Sequence, residues 1–90
     1  MFTREMTDGQ KIEEARRAVL ALVRAMVHDP DAVSVLVAAH AETICFEIHV
    51  APRDIGKVAG SEGTHRRLIE SLLKPISGNH GIGYVLDSIS

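Results

Sequence analysis

Tryptophan is absent, tyrosine occurs once and phenylalanine twice. A surface that stacks nucleobases on aromatic rings has almost nothing to build from. Cysteine occurs once, at Cys45, so no internal disulfide can form, which fits a reducing compartment. No apolar run approaches the roughly 18 residues that cross a bilayer. No apolar h-region follows the polar start Met1-Phe2-Thr3-Arg4-Glu5-Met6, so no secretory signal is expected. These absences lead us to expect a cytoplasmic chain with no membrane partner. Cationic excess is missing too: 10 Lys and Arg stand against 12 Asp and Glu, a formal net charge of −2. Dedicated nucleic-acid binders usually carry a basic balance, so any such role here must rest on a local patch.

The constellations of catalysis are missing as well. Five histidines, His28, His40, His49, His65 and His80, are scattered, and none forms an H-x-x-x-H ligand pair. Cys45 has no neighbouring histidine in a triad-like pattern. The glycine-rich stretch near residue 60 is not followed by the lysine of a phosphate-binding P-loop; Gly63 precedes Thr64. The residues thus point to no catalytic site, no metal site and no cofactor, and an enzyme is not expected.

What is present is the composition of one small folded domain. Ninety residues suffice for one modest core. Residues 1–8 are polar and mixed and read as a flexible start, with 9–90 as a single domain and Thr7 or Asp8 available as a helix cap. From Gln10 to about Val27, Ile12, Ala15, Val19, Leu22, Val23 and Met26 recur at helical spacing. His28-Asp29-Pro30-Asp31 ends that helix. Val33 to Ala39 reads as a strand, and His40-Ala41-Glu42 as a turn. Thr43 to Val50 is a second strand, with Ile44, Phe46, Ile48 and Val50 on one face and Cys45, Glu47 and His49 on the other. The two strands fit an antiparallel hairpin. Pro52 opens a short helix over Arg53 to Ala59. A third helix spans Thr64 to about Lys74, with Leu68, Ile69, Leu72 and Leu73 towards the core and Pro75 bending or ending it. After the loop Gly78-Asn79-His80-Gly81, a third strand runs from Ile82 to about Ile89.

The stretch Asp54-Ile55-Gly56-Lys57-Val58-Ala59-Gly60-Ser61-Glu62-Gly63-Thr64 joins the second and third helices. Paired glycines let the backbone turn sharply and let another backbone come close. The amides of Gly63, Thr64 and His65 would then stand at a helix N-terminus, where unpaired N–H groups and the macrodipole favour a phosphate.

The pattern Ile55-Gly56-x-x-x-Gly60-x-x-Gly63 and its lead-in Val50-Ala51-Pro52-Arg53-Asp54 resemble the KH domain of small bacterial single-KH proteins, from about residue 10 to residue 88. The resemblance implies an α+β fold of type II KH order, α-β-β-α-α-β, a three-stranded sheet covered on one face by three helices. It implies binding of single-stranded RNA, or of single-stranded DNA, through a GXXG loop that clamps the sugar-phosphate backbone. It also implies a role as RNA chaperone or post-transcriptional regulator and association with itself or with a second RNA-binding protein. The residues carried over are Ile55, Gly56, Lys57, Val58, Gly60, Ser61, Glu62, Gly63, Thr64, His65, Arg66 and Arg67. Bases would lie between the short helix and the second strand, on a floor of Ile55, Val58 and Ile48, and Arg53 would add charge. Family members usually carry lysine or arginine in at least one variable loop position, where this chain has Ser61 and Glu62. An exposed carboxylate about 4–6 Å from a phosphate costs on the order of 1 kcal/mol, less with salt. That departure and the acidic balance keep a second reading open, a KH-fold protein-interaction module using the first helix or the open sheet face.

Overall fold

The computed structural model describes residues 8–40, 43–60, 63–77 and 83–90. Helix α1 spans Asp8–Met26. Asp8 is already helical, one residue inside the stretch expected to be flexible, and residues 1–7, including the expected cap Thr7, lie outside the described residues. Ala15, Val19 and Val23, one turn apart, are fully buried, and Ile12 and Leu22 pack beside them. Pro30 then opens a 3-10 turn over Pro30–Ala32, and Arg24 Nε donates to the Pro30 carbonyl across the corner.

Strand β1 (Ser34–His40) pairs antiparallel with β2 (Thr43–His49), as the alternation predicts, with Val35 opposite Ile48 and Val37 opposite Phe46. Along β2 the burial alternates strictly: Ile44, Phe46 and Ile48 are buried and the residues between them are not. Strand β3 (Gly83–Ile89) runs parallel to β2 on its other side, so β2 is the central strand. A parallel partner needs a crossover connection, and the two remaining helices, α2 (Ile55–Ala59) and α3 (Thr64–Ser77), supply it. The register slips after Phe46: Leu86 faces Phe46 but Ser88 faces Glu47, leaving Asp87 as the extra residue of a bulge. Tyr84 on β3 meets Phe46 in a tilted pair, centroids 5.5 Å apart.

The α+β architecture, a mixed three-stranded sheet with three helices, is consistent with the type II KH fold. The structure departs from the sequence expectation along α3. α3 continues through Pro75 to Ser77; a proline this close to the end removes one amide donor and leaves little helix beyond it to disturb. Leu68 is 52% exposed, while Ile69 and Leu73 are fully buried. Four apolar positions in adjacent pairs cover more arc than one helix face can bury, and Leu68 falls on the outer side. It lines a shallow apolar groove with Ala18, Leu22, Ser71 and Leu72, between α1 and α3. No helix among the described residues is long and apolar enough to cross a membrane.

Candidate nucleic-acid interface

The glycine stretch begins with a proline in its preferred place. Pro52 starts a 3-10 turn over Pro52–Asp54 that runs directly into α2. The helix stops at Gly60, whose φ of 74° lies in the left-handed region. The Gly60 amide still donates to the Gly56 carbonyl at 2.9 Å, and Gly63, at φ 75°, donates to the Gly60 carbonyl at 3.4 Å. The result is a tight turn delivering the chain into the N-terminus of α3. Ser61 and Glu62, with the expectations attached to them, lie outside the described residues.

The three glycines differ in what the fold asks of them. A Cβ on Gly60 would stand 2.8 Å from the His65 nitrogen and 2.9 Å from its ring, so both angle and space demand glycine. At Gly63 only the angle does, since the space is open. At Gly56 neither applies: its φ is not positive, it is exposed, and a Cβ would meet nothing within 4 Å. The fold has no use for a glycine there.

His65 is turned inward. Its Nδ1 bonds to the Lys57 carbonyl in a very short contact and its ring lies against Gly60. A carbonyl only accepts, so Nδ1 carries the proton. His65 thereby closes the C-terminal end of α2, a use that sequence reasoning did not foresee.

The cations divide. Arg66 is committed to the fold: Nη2 donates to the Leu86 carbonyl at 2.8 Å, at the β3 bulge, and Nε pairs with Glu70 at 3.1 Å. Arg53 and Arg67 are exposed, and no described residue pairs with either. Lys57 is half-exposed, with Nζ 3.2 Å from His28 Nε2 and 3.8 Å from Asp54 Oδ1. The first turn of α3 holds no acidic residue, so its positive end is not cancelled from within the helix.

The floor predicted for the groove is corrected. Val58 and Ile48 are 0% exposed; their side chains belong to the core and offer no surface. Ile55 is half-buried and keeps an apolar edge. The predicted second wall is corrected too, because β2 is enclosed between β1 and β3 and α2 packs against β3 and α3. β3 is the strand at the open edge beside this surface. The pairing of β3 is non-local, and strand periodicity carries no signal for it.

Sequence reading also missed Asp54. It stands at the N-cap position of α2, yet its side chain makes no cap bond. It is 0% exposed, a buried charge beside the core, and accepts backbone N–H bonds from His28 on Oδ1 and Asp29 on Oδ2, both at 3.1 Å. No local pattern signals partners so far back in the chain.

No family model matches the chain, and no solved structure matches it. Among curated proteins it is similar to the RNA-binding protein KhpA of Caldanaerobacter subterraneus subsp. tengcongensis. The two are 39% identical over 56 residues, which cover 62% of this chain and 75% of that relative.

Proposed function

The chain belongs to the family of the RNA-binding protein KhpA, and from that premise we propose that it binds single-stranded RNA along α2, the glycine turn and the start of α3. The observation that carries the site assignment is Gly56. A glycine that neither backbone angle nor internal packing requires, exposed on α2, is explained by a ligand backbone passing against it. A phosphate would sit at the N-terminus of α3, near Gly60, Gly63, Thr64 and the His65 and Arg66 amides, where the macrodipole favours an anion. Arg53, Lys57 and Arg67 would add charge from the rim, and Ile55 an apolar contact to a base. Phosphate contacts of this kind fix position and carry little sequence information.

One such clamp spans about four nucleotides, so affinity is modest. Self-association, or association with a second RNA-binding protein, would raise it through avidity. The apolar groove of Ala18, Leu22, Leu68 and Leu72 favours this protein-partner role as a second reading. A cytoplasmic location and a task as RNA chaperone or post-transcriptional regulator go with the RNA reading.

The test is fluorescence anisotropy of short labelled single-stranded RNAs of mixed sequence, beside Gly63→Asp. A Cβ at this position meets nothing within 4 Å, and aspartate tolerates a left-handed backbone better than most residues. It adds a carboxylate at the proposed phosphate position. Wild-type binding should weaken with salt, with a slope of about −0.7 per neutralised phosphate. Gly63→Asp should bind about tenfold less tightly, the equivalent of roughly 1.4 kcal/mol. Absence of wild-type binding at low salt, or equal binding by the variant, overturns the clamp.

A further inference from the structure

We infer that Asp54 is a positioning residue for RNA binding: it holds α2 and the glycine turn in the conformation that receives the RNA backbone. This rests on the RNA-binding reading above. Asp54 does not itself face the RNA, being fully buried beneath α2.

The need for an anchor follows from length. α2 has five residues, far short of the roughly 12–15 at which an isolated helix becomes even marginally stable. Its geometry must be imposed from outside. At its C-terminal end His65 does this through the Lys57 carbonyl and the ring packed on Gly60. At its N-terminal end the fastening is Asp54. One carboxylate oxygen takes the His28 N–H and the other the Asp29 N–H, each at 3.1 Å. These amides belong to the segment just beyond α1, so the short helix is tied to the end of the long one.

A neutral side chain could not replace it. Burying a carboxylate is unfavourable unless charge and hydrogen bonds compensate, and here both oxygens are occupied. The Lys57 ammonium, 3.8 Å from Oδ1, and the His28 ring, with Nδ1 at 3.7 Å, complete the surroundings. The arrangement also sets where Lys57, a proposed RNA-facing cation, stands. Asparagine has the same shape but would turn an NH2 group towards one of the two backbone N–H donors, leaving that donor without an acceptor.

The experiment compares wild type, Asp54→Asn and Val35→Ala at a temperature where each is folded by circular dichroism. Val35 is buried on β1, at the sheet edge opposite β3, so its variant reports loss of core packing away from α2. We expect Asp54→Asn to bind the labelled RNA about tenfold more weakly and Val35→Ala to bind within twofold of wild type. Amide exchange in the wild type supplies a second readout that needs no variant. Because coupling is reciprocal, RNA should slow exchange at the His28 and Asp29 amides, which are bonded to the buried Asp54 carboxylate. If wild type binds RNA but Asp54→Asn binds as well as Val35→Ala, the inference falls and the RNA reading stands. Should Asp54→Asn not fold, unchanged exchange at His28 and Asp29 with RNA bound overturns it, and slowed exchange supports it. No RNA binding by the wild type overturns the RNA reading and this role together.

Discussion

A methyl group at Gly60 would lie 2.8 Å from a backbone nitrogen, whereas at Gly56 it would meet open space. That contrast separates residues that shape the turn from residues that leave room for a ligand. Gly60→Ala combines left-handed strain of about 1–2 kcal/mol with a clash against His65, and should lower the melting temperature by roughly 10 °C. Gly56→Ala should do the reverse. Alanine suits a helix better and restricts the unfolded chain, so stability should hold or rise by about 0.4–1 kcal/mol. Its RNA affinity should nevertheless fall about tenfold, because the new methyl occupies the path of the RNA backbone. Thermal unfolding and anisotropy on the two variants check this. A Gly56→Ala protein that binds like wild type would remove the reason for placing RNA there. The glycine motif itself was legible in the sequence. Which glycine serves the fold and which the ligand was not, because that depends on what surrounds each Cβ position.

At the scale of elements, α1 is the helix whose surface charge has the clearest consequence. The Glu13 carboxyl accepts from Arg16 Nη2 at 2.7 Å and from Arg17 Nε at 3.1 Å. Those hydrogen bonds, Arg16 first, hold its pKa at about 2, down from 4.5. A lowered folded-state pKa contributes stability that is fully present above the unfolded value and disappears as pH falls through the folded one. The helix should therefore lose support between about pH 4.5 and pH 2. Glu13→Gln should flatten that part of the acid-unfolding curve followed by circular dichroism; equal slopes for both proteins would contradict this. The effect is small, since the groups are partly exposed and salt screens them. Element types were legible throughout: the α1 stripe and the β2 alternation each gave one face to the core, as their periods require. Leu68 was not, because the adjacent pairs Leu68-Ile69 and Leu72-Leu73 leave the centre of the buried arc undetermined. Pro75 left open whether α3 bends or ends there, and the helix runs on to Ser77.

For the molecule as a whole, what escaped the sequence is what long-range contacts decide. The parallel seating of β3, the Arg66 bond to the β3 bulge and the Asp54 bonds to His28 and Asp29 all join segments about 20 or more residues apart. Each changes how the site is built. Arg66 leaves the set of available cations, Val58 and Ile48 leave the groove floor, and β3 replaces β2 beside α2. The proposed RNA surface that remains is Ile55, Gly56, the glycine turn and the start of α3, rimmed by Arg53, Lys57 and Arg67. On a chain of net charge −2 it is a local feature, not a global one. The most direct measurement is an amide NMR titration of the whole chain with a short single-stranded RNA. Shifts concentrated at Ile55 to Gly60 and Gly63 to Arg67, fading with added salt, are the predicted result. Shifts confined to the α1–α3 groove around Leu22 and Leu68, or none at all, would contradict the placement of RNA on the glycine turn.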